Sequence, residues 1–292
     1  MGKIFIVRDT ETNKEKVIGT DKDRVKYSTE ETRKNFTQQK KKEDNKFVFR
    51  QYTEKELGEF VFIIYKMYEN INRHEEILTS SDLTRLIYIA TFVNFDSVLM
   101  ETERTYMTKD KLKEKLKLSK NAFNTLYNKL IKLKILIEHD KFLYINPDYF
   151  FKGKIENHLP ENHRCTMLFI NNIRHLYEIT STKSHKTLST LFRVIPYLNV
   201  EWNIVCKNPN ERVSDLVEPM NLKELGDILD YSEKGIQKLK SELTQIKTLD
   251  NKHVIGFFTS DGNVNHYKIV ISPKIIFQGS SYEKVEGFGI VF

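Results

Sequence analysis

Apolar residues recur in two stretches of the chain with the same helical spacing. Leu112, Leu116, Phe123, Leu126, Leu130 and Leu133 fall in register with Leu225, Leu229, Ile236, Leu239, Leu243 and Ile246, at a constant offset of 113. Intervals of three and four put each set on one face of a pair of helices. The polar positions agree as well, with Thr108 matching Asn221 and Ser119 matching Ser232, residue types that start helices by accepting a backbone hydrogen bond. Each copy therefore predicts a capped helix, a tight turn at a second cap, and a second amphipathic helix, the pattern of a helix-turn-helix.

The match continues beyond the helices. Tyr144-Ile145-Asn146-Pro147 leads to Phe151-Lys152-Gly153 in the first copy, and Ile271-Ser272-Pro273 leads to Phe277-Gln278-Gly279 in the second, now at an offset of 126. The added residues fall between the second helix and the closing strand, where a β-hairpin of variable length belongs. Val254 to Phe258 and His266 to Ile271, around Asp261-Gly262-Asn263, predict the longer second hairpin. Two helices followed by such a hairpin predict a winged helix. The expected fold is α+β, mainly α: two tandem winged helix-turn-helix domains preceded by an N-terminal β-hairpin. Residues 1–46 are assigned to the hairpin and a basic arm, 47–153 to the first domain, 154–183 to a connecting helix and 184–292 to the second domain.

Outside the repeat, Lys3 to Arg8 and Glu15 to Thr20 alternate as paired strands around the turn-forming Asp9 to Lys14. Residues 21–46, with Lys40-Lys41-Lys42, lack apolar periodicity and read as a basic arm or a plain solvated tail. Thr53 and Glu56 suggest a capping box opening a helix from Glu54 to about Asn70, with Leu57, Phe60, Val61, Ile64 and Met67-Tyr68 on its buried side. A second helix is predicted from Ser81-Asp82 through Leu86, Ile89, Phe92 and Val93. Asn94 to Met107 predicts a short strand paired with the first hairpin. Leu168, Ile170, Ile173 and Leu176 have helical spacing and predict a rigid connection. Lys186 to Leu198 opens the second domain, Trp202 to Cys206 suits a strand, and Lys207 to Glu218 a loop.

Length and composition limit the function classes. A chain of 292 residues with 39% hydrophobic and 30% charged residues suits two ordinary globular domains, each with its own core. Two cysteines, Cys165 and Cys206, are too few for a disulfide framework. The longest apolar run, Phe60 to Tyr65, is far below the roughly 18 residues of a membrane span, and the N-terminus carries charges where a signal peptide needs an apolar core. A cytoplasmic protein without a membrane partner is expected.

Charge is unevenly placed. Lys109 to Lys134 holds nine lysines against Asp110 and Glu114, whereas Asn221 to Thr248 holds five lysines against five acidic residues. The second helix of a helix-turn-helix enters the major groove, so its outward positions are the candidate DNA contacts. In the first copy these are Lys120, Asn121, Asn124, Thr125, Asn128 and Lys129, joined by Lys109 and Lys132. Asn pairs bidentately with adenine, Lys meets phosphate or guanine, and the Thr methyl meets thymine, which together suit A·T-containing sites. In the second copy the candidates are Lys234, Gln237 and Lys238, opposed by Glu233 and Glu242, which leaves auxiliary DNA contact and protein binding both open.

No nucleotide-binding, hydrolase or zinc-protease motif occurs. His158, His163 and Cys165 lack the fourth ligand that structural zinc requires. No catalytic residue, metal or cofactor is expected. The N-terminal hairpin with Asp9-Thr10-Glu11-Thr12-Asn13 at its turn, the two apolar helices, the lysine-rich helix-turn-helix and the ending Leu143-Tyr144-Ile145-Asn146-Pro147 resemble the RepL family of plasmid replication initiators over residues 1–153. Tandem winged helices are also similar to the initiators of iteron plasmids, whose two domains straddle one origin repeat. These resemblances imply a phage or plasmid protein that binds origin DNA and engages host replication proteins. Alternatives are a transcriptional regulator working with transcription proteins and a winged-helix protein-interaction adaptor. A homodimer is compatible with each.

Overall fold

Near the N-terminus the expected strands pair as a hairpin, with β1 (Ile4–Arg8) antiparallel to β2 (Glu15–Gly19) and Ile4 opposite Gly19. The computed structural model describes the backbone of residues 4–8 and 15–19, and in full residues 58–65, 67–68, 78–155, 164–258, 268–279 and 285. The basic arm of residues 21–46 and the cap at Thr53 lie outside these. The β1–β2 hairpin belongs to a unit spanning Met1–Tyr52, and the elements below form a second unit, Thr53–Phe292.

The helix expected over residues 54–70 is overturned at its centre, because Phe60-Val61-Phe62-Ile63-Ile64 is strand β3 (Phe60–Ile64) with all five side chains buried. An unbroken apolar run fits a strand covered on both faces as well as it fits a helix. After β3 come α1 (Ser80–Ala90), β4 (Met100–Thr102), β5 (Thr105–Tyr106), α2 (Lys109–Leu116), α3 (Lys120–Lys132), β6 (Leu136–His139), β7 (Phe142–Ile145) and β8 (Phe150–Phe151). The chain then repeats itself with β9 (Cys165–Phe169), α4 (Ile170–Ile179), α5 (His185–Arg193), α6 (Leu222–Ile228), α7 (Ile236–Gln245), β10 (Ile255–Phe258), β11 (Lys268–Ile271) and β12 (Ile276–Phe277). The result is a mixed α/β structure of helices and small antiparallel sheets.

Local sequence explains the helix starts. Thr79 and Asp82 form a capping box on α1, Thr108 accepts from Lys111 N at 3.3 Å, and Ser119 accepts from Ala122 N at 3.3 Å. Asn221 and Glu224 form a second capping box on α6. Ser232, matched to Ser119, makes no cap hydrogen bond, and a 3-10 turn over Glu233–Gly235 precedes α7. The turn between the helices is left-handed at Lys117 (φ 52°) in one copy and at Asp230 (φ 63°) in the other. The first hairpin closes through Asp140 and Lys141, both at positive φ, the two-residue turn whose twist suits antiparallel strands.

The two halves meet in a four-stranded sheet of order β12-β9-β3-β8. β3 and β9 run antiparallel about a centre where Phe62 faces Met167, with Phe60 opposite Phe169 and Ile64 opposite Cys165. Each half adds its own closing strand, Ile63 facing Phe150 in one and Leu168 facing Ile276 in the other. The arrangement is two-fold, and backbone hydrogen bonds repeat with it. Leu99 N donates to Leu143 O at 2.7 Å and Val205 N to Ile269 O at 2.8 Å; Met107 N donates to Leu99 O at 2.9 Å and Met220 N to Val205 O at 3.0 Å. The repeat therefore begins at β3 and β9, an offset of 105, well upstream of the helical hairpins.

The connection expected as a helix from Met167 is a strand to Phe169 and a helix only from Ile170, although Leu168, Ile170, Ile173 and Leu176 are buried as expected. β9 is needed to pair with β3. One consequence is a single core: buried residues of both halves form one continuous cluster instead of two.

Candidate nucleic-acid interface

Helix α3 buries Phe123, Leu126, Tyr127 and Leu130, which turns Lys120, Asn121, Asn124, Thr125, Asn128 and Lys132 to solvent. Asn121, Asn124 and Asn128 are exposed, and their side-chain amides make no hydrogen bond to any described residue. Thr125 donates its hydroxyl to Asn121 O at 2.9 Å, leaving its methyl as the outward group. No acidic residue occupies the first turn of α3, whose amide end is partially positive.

The lysines of this half are sorted by their partners. Lys111 is held by Glu114 at 3.2 Å and Glu101 at 3.7 Å, and the hydrogen bond to Glu114 is the main reason its pKa rises. Lys109 lies 4.1 Å from the centre of the Tyr127 ring. Burial, reinforced by the hydrogen bond from Tyr127 Oη to Glu138 at 2.7 Å, keeps that phenol protonated. Among the described residues, no carboxylate lies within 4 Å of Lys113, Lys115, Lys117, Lys120, Lys132 or Lys134. Lys129 is different. Its Nζ sits 2.9 Å from Asp82 on α1, so the structure turns this candidate contact inward as an ion pair.

In the other half, α7 buries Leu239 and Leu243 and exposes Gln237 and Lys238, while Lys234 is exposed on the 3-10 turn before it. Here cations meet anions. Lys238 is 3.7 Å from Glu242, Lys223 is 3.3 Å from Glu233, Arg193 is 2.7 Å from Asp230, and Lys207 pairs with Glu224. The Lys207 hydrogen bond, helped by the Asn221 amide, lowers the Glu224 pKa. Two of these pairs lie within Asn221 to Thr248, and two bring in cations from earlier in the chain.

One surface escapes a reading of the sequence alone. Tyr106, 48% exposed, rests against Phe142 at 4.4 Å between ring centres, with Ile137 and Tyr144 paired on the same hairpin. The equivalent positions in the second half are Pro219, Lys268, Gly256 and Val270. The strand alternation of β6 and β7 carries this signal. His158 and His163 lie outside the described residues, and Cys165 is part of β9. Among the described residues no group of three His, Cys, Asp or Glu could hold a metal, and no helix is long and apolar enough to cross a membrane.

No protein-family model matches the chain, and neither a curated protein nor a solved structure matches it.

Proposed function

We propose that the chain is a sequence-specific double-stranded DNA-binding protein of a phage or plasmid, built from two winged helices, and that it acts as a replication initiator on origin DNA. The observation that carries this reading is the outward face of α3, where three amides without described partners and an exposed threonine lie near Lys117, Lys120 and Lys132, which have no described acidic neighbour. Asn can bridge an adenine edge bidentately, and the lysines of α2 and α3 supply phosphate contacts. In this reading the first half reads bases and the second half, through Lys234 and Gln237, adds contacts of low specificity. The initiator role, as opposed to promoter control, comes from the resemblance to plasmid initiators.

The ion-paired surface of α7 favours one further reading, in which the second half docks a protein and only the first half meets DNA. Selection of duplexes from a random pool, followed by a salt titration, tests both. The expected outcome is a selected site whose log affinity falls steeply with log salt. If Asn121, Asn124 or Asn128 reads a base, its replacement by Ala costs about 1–3 kcal/mol at a single base pair. A chain that selects no duplex would refute the proposal.

A further inference from the structure

Asp82 and Lys129 occupy positions at which the two halves do different chemistry. Asp82 is on α1 with its side chain only 6% exposed, and it accepts from Thr79 N at 3.1 Å, Arg85 Nη1 at 3.2 Å and Lys129 Nζ at 2.9 Å. Lys129 extends from α3 and is itself only 27% exposed. In the second half the counterparts of Arg85 and Lys129 are Thr190 and Glu242. There Tyr231 Oη donates to Glu242 at 2.8 Å and lies 3.2 Å from Thr190 Oγ1. Both halves tie the outward helix to the helix behind it at the same place, once with an ion pair and once through a tyrosine.

We propose that Asp82 and Lys129 form a positioning pair that sets the pose of α3, so that Lys129 contributes to DNA reading without touching DNA. The inference rests on the DNA-binding reading of α3. Charge removed at either end frees α3 to tilt on its apolar face, and the outward Asn side chains then lose their alignment with base edges. Phosphate contacts from the flexible lysines tolerate such a tilt. Sequence discrimination is therefore what the pair protects. Removing Asp82 is the more damaging change, because it strands Lys129 and Arg85 together, whereas removing Lys129 leaves Asp82 its Arg85 partner.

The test compares the full chain with Asp82→Asn, which keeps an acceptor for the Thr79 cap, Lys129→Met, the double variant and Lys129→Arg. Affinity is measured for a selected duplex and a random duplex across a salt series, and urea denaturation is run in parallel. Both single variants should reduce the ratio of specific to random affinity on the order of tenfold. Their salt slopes should stay unchanged, the double variant should be no worse than Asp82→Asn, and Lys129→Arg should restore the ratio. A salt slope lowered by about one in Lys129→Met, with tighter binding in Asp82→Asn, would make Lys129 a phosphate contact and overturn the proposal. An unchanged specificity ratio would overturn it too. If the unaltered chain binds no duplex, the DNA reading fails separately. The pair is then judged on denaturation: coupled losses in the two single variants support it, and additive losses sink it.

Discussion

The helical hairpins α2–α3 and α6–α7 share their apolar registers, their left-handed turns and the backbone hydrogen bonds that seat them, yet their outward faces differ in the state of their charges. On α2–α3 most lysines have no described acidic neighbour, whereas on α6–α7 the acidic residues sit beside the basic ones. The scaffold is common and the surface is local. Fold and surface charge are thus written in different positions of the same repeat, the fold at buried intervals of three and four and the charge at the residues between them.

The largest effect that would test the shared scaffold is a cavity made in each copy. Leu126 and Leu239 occupy matched, buried positions, and each replaced by Ala should cost about 2–5 kcal/mol by urea denaturation. Because one core runs through both halves, each variant should unfold in a single transition. Two separated transitions would show that the halves are independent.

A second contrast concerns pH. Burial, with Arg85 nearby, lowers the pKa of His185 at the start of α5 to about 4 from the ordinary 6.5, while its counterpart Ser80 does not titrate. The fold holds this imidazole neutral. Its contribution is complete above the unfolded value and is lost as pH falls from 6.5 toward 4, by at most about 1.4 kcal/mol per pH unit. His185→Gln should flatten that part of the stability profile. A profile that keeps its slope in the variant would assign the acid sensitivity elsewhere.

The surfaces themselves separate under charge removal. Replacing Lys117, Lys120 and Lys132 by Ala should lower the salt slope of duplex binding by about three, one for each phosphate that is no longer neutralised. The matched experiment on Lys223, Lys234 and Lys238 should lower it by about one, since Lys223 and Lys238 are already neutralised by Glu233 and Glu242. Equal decreases would erase the proposed division of labour. The smallest effect should come from Glu233→Gln, which releases Lys223 and raises the slope by no more than about one; a lower affinity in that variant would mean that Glu233 is part of the binding face.

Much of the scaffold is legible in sequence because its signals are local. The caps at Thr108, Ser119 and Asn221 and the registers of α2, α3 and α7 need only near neighbours. Phe60 to Ile64 reads as helix in isolation because a run that is apolar at every position has no period, and its partner strand lies about a hundred residues away at Cys165 to Phe169. The same distance hides the first part of the repeat. Its offset changes from 105 at β3 to 113 at the helices and 126 at the closing strands, so no ungapped comparison spans it. Lys129 misleads for a related reason: an outward position on a helical wheel carries no trace of an aspartate 47 residues earlier.

The pairing of β3 with β9 has a further consequence when treated as an interface. Its register is isologous in the sense used for subunits, with equivalent strand positions on both sides and each backbone pairing matched by its counterpart across the two-fold axis. A seam of this symmetry is the kind that joins two separate chains. Joining two copies into one chain turns an association that depends on concentration into one that does not. It also leaves the two halves free to differ, as the outward faces of the two helical hairpins do.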